Sequence, residues 1–174
     1  LWEDVCADAS SGEATFPGGA LTITPAPAMT MVDIDGTLPL RDLALASVEP
    51  LAATLARLDL AGSIGIDFPS LSDKNDRKQV DSALELALGD WPHERTSMNG
   101  FGFVQLVARL TRPSLLHLCA RDPAGAAARL LLRQAELVDA PGALLLTCHP
   151  AVEAALRPEW LADLAKRTGR ELRI

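Results

Sequence analysis

Short apolar runs and helically spaced apolar positions alternate along most of the chain. Two extended segments, 20–24 and 28–35, are separated by a Pro-Ala-Pro turn, because proline cannot sit inside a central strand. Apolar residues then recur at helical spacing from Val48 to Leu58, and the run GSIGIDF at 62–68 predicts a buried strand. This order of elements predicts a sheet whose strands are connected by helices.

The next segments continue the alternation. A polar cap at 72–73 is predicted to begin a helix that stops near Gly89. The stretch HERTSMN at 93–99 is predicted to be a third core strand, and FVQLVARL at 103–110 a helix that ends before an Arg-Pro pair. Residues 112–125 show no clean period and are interpreted as a connector.

A second series of elements follows the connector. It comprises a helix over 126–138, a strand over 143–148, one or two helices within 151–168 that Pro158 interrupts, and a last strand over 171–174. These elements predict a second, small α/β unit.

Composition narrows the class of protein. A chain of 174 residues that is 48% hydrophobic can form about one globular domain with a small appendage. No apolar run approaches the roughly 20 residues of a membrane span and no secretory signal is recognisable, which favours the cytoplasm and no membrane partner. Three cysteines without regular spacing argue against a disulfide framework. A formal charge of −7 argues against broad electrostatic capture of nucleic acid.

Carboxylates stand at the carboxyl ends of two predicted strands. Asp33 and Asp67 end their strands, and Asp35 shares the strand face of Asp33. Mg²⁺ prefers such oxygen ligands, taking one or two carboxylates together with waters and a phosphate oxygen. Such sites serve phosphoryl transfer or phosphodiester hydrolysis, in which the metal activates water and neutralises charge. The alternative for each aspartate taken singly is a helix cap or a turn acceptor.

Residues 31–38, MVDIDGTL, resemble the first motif of the haloacid-dehalogenase-like phosphatases, whose first aspartate is a nucleophile. That family also needs a strand-end Thr or Ser, a Lys and an acidic pair. Thr147 and Lys166 can pass for the first two, but only Glu171 is acidic among the residues after Lys166. A phosphatase is therefore the less favoured interpretation.

A longer series of segments resembles the ribonuclease E/G family of bacterial endoribonucleases. The segments FPGGALTI…AMTMVDIDG, LARLDLAGSIGIDF and NGFGFVQLVARLTRPSL follow one another with consistent spacing within residues 5–118. The resemblance implies an α/β fold with a mixed-sheet deoxyribonuclease I-like catalytic subdomain at 1–118, a connector at 119–125 and a small α/β domain at 126–174. The family's RNA-binding domain and 5′-monophosphate sensor would lie N-terminal to Leu1.

The same resemblance assigns roles to residues. The family's two metal-binding aspartates map onto Asp33 and Asp67, the carboxylates that the strand pattern selects, and its nearby Asn maps onto Asp35. These three are the expected catalytic residues, with Asp33 and Asp67 as the Mg²⁺ ligands.

Three basic residues are candidate contacts to RNA phosphate, each with an ordinary solvated side chain as the alternative: Arg77, Lys78 and Arg112.

Three departures from the family pattern bear on activity and assembly. Asp35 keeps an oxygen ligand at the Asn position but adds negative charge, and Gly100 stands where the family has Arg. The family's Cys-x-x-Cys zinc link falls at 119–122, where only Cys119 remains. A homo-oligomer would therefore have to form without a shared zinc.

The strand-end carboxylates predict a Mg²⁺ site, and the resemblance to the ribonuclease E/G family implies an endoribonuclease that cleaves single-stranded RNA in RNA processing or decay. The alternative is a catalytically weakened relative of ribonuclease E/G that acts as an RNA-binding or assembly module. Asp35, Gly100 and the acidic charge motivate that alternative.

Overall fold

Helices and strands alternate along the chain, which confirms the predicted α/β class. The structure is a computed structural model that describes residues 2–174. It divides into a first unit that ends at His117 and a second unit, Leu118–Ile174. The assignment of these units to a deoxyribonuclease I-like subdomain and a small domain stays a prediction.

The first unit is built on a six-stranded mixed sheet. Its strands are β1 (Glu13–Phe16), β2 (Gly19–Pro25), β3 (Thr30–Gly36), β4 (Gly62–Asp67), β5 (His93–Arg95) and β6 (Phe103–Ala108). Its helices are α1 (Trp2–Ser11), α2 (Leu40–Ala46), α3 (Val48–Arg57) and α4 (Lys74–Leu88). The strand order is β1-β2-β3-β4-β6-β5, with β3 and β4 parallel and all other neighbours antiparallel. The two extended segments, the strand at 62–68 and the helix beginning near residue 48 are confirmed.

One face of this sheet carries the core. In β3, Val32 and Ile34 are buried, while Asp33 and Asp35 between and after them are exposed. The other central strands place buried residues on the same face: Leu21, Ile23, Ile64, Ile66, Val104 and Leu106. Helices α2, α3 and α4 contribute further buried apolar residues: Leu43, Val48, Leu51, Leu55, Val80 and Leu84. The opposite face of the sheet, here called the open face, carries the exposed Asp33 and Asp35.

The loop from β4 into α4 is fixed by a helix cap. The side chain of Asp73 accepts hydrogen bonds from the backbone N–H groups of Asn75 and Asp76 at 2.6 and 3.3 Å. Such a cap stabilises a helix by about 1 kcal/mol. The helix ends at Gly89, whose φ of 53° suits glycine. The predicted cap and stop signals are therefore confirmed, and the cap anchors the chain six residues beyond the end of β4.

The predicted helix at 103–110 is wrong, because this segment forms strand β6. Val104 and Leu106 are buried, while Val107 is 47% exposed and Gln105 is half-buried. This period of two matches the antiparallel pairing with β4 along its whole length. The high density of apolar residues concealed the alternation.

Other elements also differ from the predictions. The stretch 93–99 gives only the short strand β5 at the edge of the sheet, not a core strand. The predicted connector at 112–125 contains helix α5 (Leu115–Arg121). Three further elements were not predicted: α1, β1 and α2.

The second unit contains α6 (Pro123–Glu136), β7 (Leu144–Leu145), α7 (Pro150–Ala155), α8 (Pro158–Thr168) and β8 (Leu172–Arg173). β7 and β8 pair in parallel, and the buried centre comprises Ala135, Leu144, Leu146 and Leu164. The predicted break at Pro158 is confirmed, whereas the strand predicted at 143–148 is only two residues long. Among the described residues, no helix has the length and apolar character that crossing a membrane requires.

Candidate functional site

Asp33 and Asp67 are paired directly across the parallel strands β3 and β4. Their neighbours Val32 and Ile66 are buried in the core, so the period of two turns both carboxylates to the open face of the sheet. Both aspartates are solvent-exposed. β4 ends at Asp67, which places the pair at the carboxyl edge of the parallel strands. The register thus brings together the two aspartates that the sequence nominates.

Asp35 joins this group from two residues further along β3. The pKa of Asp33 is raised above its ordinary value, first by partial desolvation of this largely exposed group, then by the charge and hydrogen bonding of Asp35, and further by the charge of Asp67. The backbone N–H of Ile34 donates to Asp33 and lowers its pKa in part. Among the described residues, no cationic side chain contributes to lowering this pKa. Like charges are therefore crowded at this edge, and a bound cation would relieve their repulsion.

Two uncharged side chains flank the pair of aspartates. Thr22 of β2 lies opposite Asp33, and Phe103 of β6 lies opposite Asp67, so that a row of four residues crosses the open face. Beside this row, a Cβ added to Gly65 would lie 2.8 Å from both the Phe103 ring and a methionine sulfur of β3. The Phe103 ring and this methionine therefore cover Gly65 and form an apolar surface beside the carboxylates. The sequence pattern does not single out Phe103, because the dense apolar run at 103–110 predicts a helix. The available signal was the alternation of apolar residues at Val104 and Leu106 with residues of the other face.

The turn at 99–102 is held against the end of β4. The N–H of Phe68 donates to the Gly102 carbonyl at 3.1 Å, and Ser70 Oγ donates to the Phe101 carbonyl at 2.9 Å. Gly100, at the family's Arg position, therefore lies beside the carboxylate edge and brings no positive charge to it.

The three predicted RNA-contacting residues do not form one group. The Arg77 guanidinium donates to two carbonyls of the β4–α4 loop, so it holds that loop, and Lys78 beside it is exposed. Arg112 forms an ion pair with Asp59, whose hydrogen bond and charge raise the pKa of Arg112. Asp59 lies just before the start of β4, and Asp67 is at the end of this six-residue strand. The length of the strand places the ion pair roughly 16 Å from Asp67. Arg77 and Lys78 lie at the start of α4, which follows the loop after β4 and packs on the core face of the sheet.

The donor set at this edge fits a hard divalent cation. Mg²⁺ keeps several waters and takes one or two carboxylates plus phosphate oxygens, which is the number that Asp33 and Asp67 supply. No group of three or more His, Cys, Asp or Glu side chains able to hold a metal ion occurs within residues 2–174. Asp35 therefore does not complete a three-ligand cage, and a cation held by two aspartates would leave coordination positions free for other oxygen ligands.

Comparison with known proteins relates the chain to bacterial ribonucleases. No protein-family model matches it. Ribonuclease G of Escherichia coli (strain K12), of Shigella flexneri and of Salmonella typhimurium (strain SL1344) are each 34% identical to this chain over 119 residues. The match covers 61% of this chain and 24% of each relative, so the chain spans about a quarter of their length. This partial similarity supports a relationship with the ribonuclease E/G family.

Proposed function

We propose that this chain carries the catalytic centre of a Mg²⁺-dependent endoribonuclease of the ribonuclease E/G type, acting on single-stranded RNA in the cytoplasm. The observation that carries the proposal is the register of β3 and β4, which pairs Asp33 with Asp67 at an open sheet edge. The family resemblance assigns the metal to the same two residues. The 34% identity to proteins named ribonuclease G supports the choice of RNA as substrate.

In the proposed mechanism, Asp33 and Asp67 would hold the metal, and relief of their mutual repulsion would favour its binding. When bound, Mg²⁺ supplies an acidified water and neutralises charge on the phosphate. Asp35, on the same strand face as Asp33, would orient the attacking water through a side-chain oxygen, a role that an Asn oxygen could also perform. Thr22 lies opposite Asp33 and offers a hydroxyl to the same region of the face.

The charge of the chain sets how RNA is engaged. At a formal charge of −7 with three carboxylates at the site, RNA phosphate is repelled unless a cation intervenes. Lys78 and Arg77, at the start of α4, are the positive charges of the predicted set that follow Asp67 most closely in the chain. With so few phosphate contacts, the affinity for RNA should be weak, dependent on Mg²⁺ and only shallowly dependent on monovalent salt.

The proposal is tested by incubating the full chain with a 5′-labelled single-stranded RNA, with and without MgCl₂. Cleavage should require the metal and should fall by at least about 100-fold in Asp33→Asn and Asp67→Asn, a typical loss when groups that stabilise transition-state charge are removed. Asp90→Asn is the matched control, because this exposed carboxylate follows α4 and its replacement removes the same unit of charge. Unchanged cleavage in both site variants would refute the mechanism.

A second candidate is a non-catalytic RNA-binding or assembly module. It is favoured by the interaction of Asp35 with Asp33, which adds negative charge where the family has a neutral Asn and where a phosphate must approach. The variant Asp35→Asn separates the two candidates. A nuclease hindered only by this charge should cleave faster in the variant, whereas a module should bind RNA but leave it intact in both forms.

A further inference from the structure

Phe101 is a large apolar side chain presented to solvent beside the carboxylate edge. Its side chain is 81% exposed. Its carbonyl accepts the 2.9 Å hydrogen bond from Ser70 Oγ, three residues beyond Asp67. Two residues along the chain, Phe103 lies directly opposite Asp67 in the sheet. The backbone on the two sides of the exposed ring is therefore held by β4 and by the loop that follows it.

The turn that holds this ring has little freedom to move. Asn99 Oδ1 accepts hydrogen bonds from the N–H groups of Phe101 and Phe103 at 2.9 and 3.1 Å. Gly102 has a φ of 91°, and a Cβ there would lie 2.2 Å from the Phe68 carbonyl oxygen, so only glycine allows this close approach. An aromatic ring on such a turn loses little conformational entropy when a ligand covers it.

The approach to the ring is open. A Cβ added to Gly100 would meet no atom within 4 Å, so the neighbouring position adds no obstacle. Among the aromatic and cation–π contacts of the described residues, none involves Phe101. Its neighbours in the turn are small or polar, unlike the contiguous apolar patch of a protein-docking surface.

We propose that Phe101 is a stacking platform for one nucleobase of a single-stranded RNA, at a nucleotide that flanks the phosphate held at Asp33 and Asp67. This inference rests on the proposed function. Bases stack on aromatic rings without strong sequence preference, because every base has a π-face. The stack supplies affinity that the acidic edge cannot, and it positions the strand across the carboxylates. Phe101 is thus a positioning residue and takes no part in the chemical step.

The experiment measures binding of the full chain to labelled single-stranded RNA in MgCl₂ by fluorescence anisotropy on ice. Phe101→Ala should weaken binding about tenfold, equivalent to about 1.4 kcal/mol and within the range for one base–aromatic stack. Phe101→Trp should bind as tightly as the natural chain, because it keeps an aromatic face. Leu86→Ala is the matched control, since Leu86 on α4 is also 81% exposed. Equal melting temperatures establish that the variants are folded.

A second set of RNAs carries a single abasic nucleotide at successive positions. At one position near the cleavage site, the abasic RNA should bind the natural chain and Phe101→Ala alike, because the base that stacks is missing from both complexes. A loss that persists at every abasic position, or no loss with intact RNA, would overturn the platform. The same holds if the natural chain binds no single-stranded RNA, or if Phe101→Ala changes the oligomeric state alone, which would assign the ring to a protein contact.

Cleavage of the same RNA reports separately on the proposed function. If Asp67→Asn abolishes cleavage while Phe101→Ala changes neither affinity nor KM, the platform alone is wrong. If RNA binding depends on Phe101 but the natural chain never cleaves, the nuclease proposal fails and the platform belongs to a binding module.

Discussion

Replacing Asp33 by Asn should stabilise the metal-free protein, because the folded state crowds three carboxylates at one edge. Directly paired residues on neighbouring strands are about 5 Å apart, and two unit charges at that distance repel by about 0.8 kcal/mol in water. Asp67 is paired with Asp33 in this way, Asp35 lies two residues along the same strand, and both carboxylates raise the pKa of Asp33. Because these groups are exposed, the measured gain should be about 0.5–1.5 kcal/mol.

The assay is thermal unfolding in EDTA and in MgCl₂. A gain of 1 kcal/mol corresponds to a rise in Tm of about 2–4 °C for a chain of this size. In MgCl₂ at ten times the Kd for Mg²⁺, the natural chain should gain about 1.4 kcal/mol of unfolding free energy, while Asp33→Asn gains little. The stability advantage of the variant should therefore shrink or reverse. Asp90→Asn should stay within about 0.5 kcal/mol of the natural chain under both conditions. A lower Tm for Asp33→Asn in EDTA would refute the crowding.

The same variant makes a prediction about pH. Since the pKa of Asp33 is raised in the folded state, the folded state holds this proton more tightly than the unfolded state does. The repulsion therefore costs stability above the folded pKa and is relieved as the pH falls through it. The advantage of Asp33→Asn in EDTA should shrink as the pH is lowered from neutral toward the ordinary carboxyl range.

Three further predictions concern the surroundings of the site. Gly102→Ala should destabilise the protein by about 1–3 kcal/mol in urea unfolding, because the φ of Gly102 is 91° and a Cβ there would clash with backbone atoms. Gly100→Ala should be nearly neutral, because a Cβ at Gly100 meets no atom within 4 Å. Asp73→Ala should cost about 1 kcal/mol by the same measurement, because the N-cap of α4 is lost. Arg112→Ala should leave the Kd for RNA unchanged in anisotropy titrations, because its partner Asp59 lies before β4 begins, and a weakened Kd would contradict that placement.

Local signals in the sequence were enough to predict the elements that frame the site. The Pro-Ala-Pro turn separated β2 from β3, and the GSIGIDF run gave β4 at nearly its observed bounds. β6 was misassigned because a dense apolar segment can satisfy a helical period as well as a strand period, and pairing with β4 decides between them. Tertiary pairing of this kind is absent from any local window of sequence.

In the candidate site, too, some features could be predicted from local sequence and others depend on tertiary contacts. Asp33 and Asp67 were predictable because each follows a buried run, and parallel strands bring their carboxyl ends to one edge. The roles of the basic residues were not predictable from spacing, since partners distant in sequence decide them, as Asp59 does for Arg112. The position of Phe101 depends on the turn at 99–102 packing against β4, and this too requires the fold.

The most direct test of the central claim is to locate a divalent cation on the protein. Crystals of the full chain grown with MnCl₂, as an anomalous scatterer in place of Mg²⁺, should show an anomalous peak within coordination distance of carboxylate oxygens of both Asp33 and Asp67. Crystals of Asp67→Asn grown in the same way should lose that peak, whereas Asp90→Asn should keep it. A natural chain that binds manganese elsewhere, or shows no peak at this edge at saturating metal, would contradict the account.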